Sequence, residues 1–165
     1  MSGIIEKLIL ALEKDCEIYT EVLRLGEMKK DIIIKGDIDE LDKITKREHA
    51  LIASLMKLEE IRDKIVTEIM KETGLQKVDV IDDITKVVDA GSREKIEVVK
   101  RKLENLMSDV RDVNESNGEL IKQSMDMIEF NVNLISSIDE AETNYGDKAN
   151  INYQKKRPGS FDAKA

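Results

Sequence analysis

Few residues of this 165-residue chain have types and spacing suited to bond-making chemistry. His49 and Cys16 are the single histidine and the single cysteine. Zinc sites of common composition draw several ligands from those two residue types, so one of each does not build one. Carboxylate-bridged di-iron bundles place Glu-x-x-His on two helices, but Lys46 stands three residues before His49. Neither Gly26 nor Gly36 leads into the Gly-Lys-Ser/Thr that grips a nucleotide phosphate, and no serine sits in a Gly-x-Ser-x-Gly elbow. The acidic neighbours Glu59 and Glu60, or Asp82 and Asp83, point apart on a helix and read as solvated surface. Cys16 falls on an apolar helix face with no cation closely flanking it, and reads as a small buried hydrophobe rather than a reactive thiol. No metal or cofactor is expected, and the chain does not read as an enzyme.

The chemistry that remains is that of binding. From Ser92 to about Glu140, Ile96, Val99, Leu103, Leu106, Val110, Val113, Asn117, Leu120, Ser124, Met127, Asn131, Leu134 and Ile138 alternate steps of three and four. That is a heptad register, which keeps one stripe of a helix facing a partner. Halfway along, Asn117, Ser124 and Asn131 replace aliphatic residues while Ile121, Ile128 and Ile135 appear one step round. With Met125, Phe130 and Val132 added, the apolar surface there covers more than one face. A second seam carries Glu48 and Arg62 among aliphatic residues. They are too far apart to pair with each other, so each needs a partner on a neighbouring helix or a route to water. Together with Asn117, they are expected to act as structural markers of register.

The elements that position these residues are helices. Ile5, Ile9, Leu12, Cys16, Tyr19 and Leu23, widened by Leu8 and Val22, give a core-facing stripe over about 3–34, mildly broken at Gly26. Gly36 suits the left-handed residue that ends a helix, and Asp37 with Glu40 suits the cap of the next. A turn this short makes an antiparallel hairpin. The second helix, about 38–72, carries Leu41, Ile44, Glu48, Leu51, Leu55, Leu58, Arg62, Ile65 and Ile69 at one register and ends at Thr73 and Gly74. Residues 79–89 have helical spacing in a β-branched run, so a short crossing helix or a strand fits. Ser92 is expected to cap the long helix. The expected fold is all-α: an antiparallel helical bundle or coiled coil of three long helices and one short crossing helix. It would occupy residues 1–144, with a flexible tail over 145–165.

Composition agrees. Charged residues make up 38% and aromatic residues 3%, with one proline, a balance found in long amphipathic helices. The net charge is −8. From Gly146 onward, five cationic side chains outnumber Asp147 and Asp162, so the body is more acidic still. An acidic body repels phosphate backbones and anionic membrane, which argues against nucleic acid as a partner. No apolar run approaches the roughly 20 residues needed to span a bilayer, and Leu8–Leu12 is too short for a signal-peptide core. The cytoplasm is the expected compartment.

At a rise of about 1.5 Å per residue, the first two helices are each roughly 50 Å long and the last nearer 70 Å. If the last helix runs back along the second, its end outlasts its neighbour from about Met127. Leu120, Ile121, Met125, Met127, Ile128, Phe130, Val132, Leu134, Ile135 and Ile138 are then candidates for receiving a partner's amphipathic helix. Three readings stand side by side: this docking surface, cover by other parts of the chain, and burial in a homodimer. A self-associating coiled-coil adaptor or scaffold is the rival function.

Several of these residues carry a resemblance. Tyr19, Leu23 and Leu25, the Gly36-Asp37 turn, Leu41, Ile44, Glu48, Leu51, and Leu58-Glu59-x-x-Arg62 resemble the flagellar export chaperones of the FlgN type. So does Asn114-x-x-Asn117-x-x-Leu120-Ile121-x-x-Ser124 with Met127, Ile128 and Leu134. The likeness covers roughly residues 4–140. It implies a cytoplasmic, all-helical chaperone for hook-filament junction proteins. Such a chaperone binds their amphipathic terminal helices, prevents premature assembly and brings them to the type III export gate. The resemblance also implies that substrate binds the C-terminal helical part, here Leu120 to Ile138. Tyr145, Tyr153 and Phe161 in the basic tail match no motif of that family and read as part of a solubilising end or as contacts for export machinery.

Overall fold

A computed structural model describes residues 1–76 and 80–146. The described chain is all-α, with α1 at Ser2–Lys35, α2 at Ile38–Thr73, α3 at Val80–Val87 and α4 at Ala90–Gly146. No strand occurs among the described residues. The β-branched run after residue 79 is therefore helical from Val80 to Val87; Asp79 lies outside the described residues. The chain divides into two compact units, residues 1–124 and 125–165. The tail expected over 145–165 is described only at Tyr145 and Gly146, which end α4; the rest of it lies outside the described residues.

In the first unit the punctuation follows local chemistry. Gly36 ends α1 at φ 68°, and Gly74 ends α2 at φ 70°, a left-handed conformation open to glycine at little steric cost. Asp37 accepts a hydrogen bond from the Glu40 backbone N–H at 3.1 Å and caps α2. The start of α4 differs from expectation. Asp89, not Ser92, is the cap: its carboxylate accepts from the Ser92 N–H at 2.9 Å and from the Ser92 hydroxyl at 2.6 Å. An aspartate three residues earlier leaves Ala90, Gly91 and Ser92 inside the first turn, so α4 begins at Ala90.

The core gathers Ile4, Ile5, Leu8, Leu12 and Cys16 of α1 with Ile65 and Ile69 of α2, Ile84 of α3, Val88 after it, and Ile96 and Val99 of α4. Full burial of such side chains contributes about 1.5–3 kcal/mol each, and this cluster ties all four helices together. Cys16 is one of its members, with Sγ directed to the Val99 carbonyl at 3.8 Å and its thiol pKa pushed up by burial. Further along α1, Val22, Leu25, Gly26 and Ile33 are also buried, as is Ile44 of α2. α1 and α2 run antiparallel, since Lys29 pairs with Glu48 and Asp15 with Arg62, the same interval apart on each helix. α4 runs parallel to α1, with Val99 against Cys16 and Asn117 against Gly26.

Candidate functional site

The polar residues on the seams have defined partners within the first unit. Glu48 accepts from Lys29 Nζ at 2.8 Å, both side chains largely buried. Arg62 donates to the carboxylate of Asp15, a residue only 3% exposed. Desolvation raises the Asp15 pKa, and the charge and hydrogen bond of Arg62 work in the opposite direction. Asn117, 4% exposed, donates from Nδ2 to the Gly26 carbonyl at 2.8 Å. Its partner position is crowded: a Cβ added at Gly26 would stand 2.8 Å from Val113 Cγ1. Gly26 thus marks an approach of α1 and α4 too close for a side chain.

Each of these groups has its partner on a neighbouring helix. Among the described residues, no cluster of three or more metal-ligating side chains occurs. A concavity of about 820 Å³ between α2, α3 and α4 is lined by Arg62, Met70, Ile81, Asp82 and Lys100, among others. Within it Lys100 is engaged by Asp82 at 2.6 Å. His49 is exposed on α2.

The α4 seam is covered over its first part: Ile96, Val99 and Asn117 are buried, and Leu103, Leu106, Val110, Val113, Leu120 and Ser124 are partly buried. Leu120 and Ile121 belong to this first unit and are half-buried there.

In the second unit the same helical periodicity continues, and every described residue from Met125 to Tyr145 is exposed. Ile128 is 61%, Phe130 63% and Ile135 60% exposed, with Met125, Met127, Val132, Leu134 and Ile138 about half exposed or more. Isolated exposed apolar residues are ordinary on protein surfaces, but eight large ones within four turns form a contiguous patch of the kind that marks an interaction surface. The patch is helical, so its side chains sit at spacings of three and four, the spacing at which an amphipathic helix presents its own anchors. Such an arrangement performs no bond chemistry. What it offers is apolar area to be removed from water.

Asp15 and Gly26 are the residues that sequence reasoning missed. Asp15 carried a signal, since Leu8, Leu12, Asp15 and Tyr19 follow one another at steps of four, three and four, placing an acid on an apolar stripe. Gly26 read as a mild helix break, which is what a glycine in a helix looks like without its neighbour.

No helix of the described residues is long and apolar enough to cross a membrane. Among curated proteins and among solved structures, no match to the chain was found. A family model described as FlgN protein matches residues 1–152.

Proposed function

The chain belongs to the FlgN family, and is accordingly a chaperone of flagellar protein export; within that role we propose that the exposed face of α4 over residues 125–138 holds its substrate. The substrate segment is the amphipathic terminal helix of a hook-filament junction protein. Held in the cytoplasm, that helix cannot bury its apolar stripe against another subunit, so premature assembly is suppressed by mass action. Delivery to the type III export gate then releases it.

One observation carries this reading. The heptad seam of α4 is covered as far as Ser124, and from Met125 to Ile138 all of its apolar side chains are exposed. Each large side chain fully buried by a partner would contribute about 1.5–3 kcal/mol. Several together exceed an association cost of the order of 4–15 kcal/mol only if most of the patch is covered. The face therefore suits a partner of similar length lying along the helix. Met125 and Met127 suit partners of varied shape, because unbranched thioethers adapt to what they meet.

The test is Ile128→Asp with Ile135→Asp, assayed by calorimetric titration with a junction protein and by circular dichroism. Both side chains are already exposed, so helicity and the unfolding midpoint stay within experimental error while the complex is lost. Retention of the complex, or loss of fold and binding together, refutes the proposal. The rival scaffold reading predicts concentration-dependent self-association of the unmodified protein with no heterocomplex.

A further inference from the structure

The apolar face of α4 lies in a segment with charges of one sign. From Gln123 to Gly146 the helix carries Asp126, Glu129, Asp139, Glu140 and Glu142, and no lysine, arginine or histidine. All five acids are exposed. None of them forms an ion pair with a described residue. The contrast with the first unit is sharp, since there acids and bases pair along and between helices, as Glu40 does with Lys43 and Glu48 with Lys29.

Helical geometry sorts the five into two groups. Asp126, Glu129 and Glu140 share the narrow polar arc that borders the apolar face. Asp139 and Glu142 stand in line with the apolar stripe itself, one heptad beyond Val132 and Ile135 respectively. The last turn holds no basic side chain, and the carbonyl end of a helix is already the negative pole of its dipole, so acids there go without the compensation a cation would give. The stripe is therefore flanked by negative charge at its start, by Asp126 and Glu129, and terminated by it at the other end, with no acid from Phe130 to Ile138.

We propose that the occupant of this face is an amphipathic helix whose apolar stripe is flanked, and at one end terminated, by lysine or arginine. The proposal rests on the reading that α4 docks a partner helix, and it adds the charge which that helix carries. Complementary charge at a rim speeds encounter and rejects wrong partners more than it adds affinity. An acidic helix with the same stripe would meet repulsion at both ends of the contact. A second copy of this chain, pairing through the same face, would set two all-acidic segments against each other.

Two synthetic helical peptides test it. They share one leucine stripe and differ in bearing lysine or glutamate at the flanking positions; each is titrated against the full chain by fluorescence anisotropy. At low salt the lysine peptide binds about tenfold tighter, since each rim pair contributes only a few-fold, and the preference collapses at about 1 M salt. Asp139→Asn with Glu142→Gln reduces the preference about threefold or more without loss of helicity. Equal binding of both peptides, with both abolished by Ile128→Asp and Ile135→Asp, would overturn the charge assignment and leave the docking reading intact. Failure of both peptides to bind overturns the docking reading, and this proposal with it. If neutralising Lys155, Lys156 and Arg157 tightens lysine-peptide binding as much as Asp139→Asn with Glu142→Gln weakens it, the acids serve the chain's own basic tail and the proposal is overturned.

Discussion

Gly26→Ala sets two opposed effects against each other on a helix. An alanine in place of glycine in a helix interior gains about 1 kcal/mol, from the lower backbone entropy of the unfolded chain. At Gly26 the added methyl would stand 2.8 Å from Val113 Cγ1, closer than carbon atoms tolerate. Valine is stiff about χ1, so its methyl cannot swing aside cheaply, and overpacking of this kind costs about 1–3 kcal/mol. Relief by separating α1 from α4 stretches the 2.8 Å bond from Asn117 Nδ2 to the Gly26 carbonyl. With Asn117 only 4% exposed, a broken bond strands a buried donor at a cost of about 1–3 kcal/mol. The losses exceed the gain, and the variant is less stable by about 2 kcal/mol. Urea unfolding followed by circular dichroism reads this as a lower midpoint at unchanged slope. Val113→Ala added to Gly26→Ala restores space, so the pair departs from additivity by about 1 kcal/mol in the favourable direction. A raised midpoint for Gly26→Ala, or simple additivity of the two changes, would refute the close approach of α1 and α4 at this point.

Arg62→Leu leaves the buried carboxylate of Asp15 without its cation and costs about 3 kcal/mol at neutral pH. Burial holds the folded Asp15 pKa above its ordinary value of 3.8, so the folded state takes up the proton first. The deficit therefore shrinks as pH falls through the raised folded value, and urea midpoints across pH show that recovery, whereas Asp15→Asn with Arg62→Leu does not. Asp89→Ala removes the cap of α4 and lowers the melting temperature at neutral pH. The bonds from Ser92 hold the Asp89 pKa below its ordinary value, so the cap's contribution is present above that value and lost as pH falls through the lowered folded one, where the variant and the parent converge.

The helices were legible because their signals are local. Gly36, Asp37 and Gly74 act through their own backbone or first-turn neighbours, and the α2 seam from Leu41 to Ile69 needs only its period. Ser92 was misassigned because two capping residues stood three apart, and the competition was settled by geometry at Asp89. The β-branched run of α3 has too few turns for its period to exclude a strand. That Glu48 and Arg62 need partners follows from their seam positions, but a heptad pattern repeats every seven residues and leaves the relative register of two helices open. Lys29 and Asp15 could therefore be named only once α1 and α2 were aligned. Gly26 is the same problem in its strongest form, since its meaning depends on a methyl of Val113 nearly ninety positions away, at a 2.8 Å approach.

The absence of basic side chains from Gln123 to Gly146 has a consequence for protease probing. Trypsin cuts after lysine and arginine, so its last site before the exposed face is Lys122 and its next is Lys148. However open the helix, trypsin leaves the entire face on a single peptide and reports nothing of its accessibility. A glutamate-directed protease meets Glu129, Glu140 and Glu142 there, and protection of those bonds is the footprint a bound helix would leave.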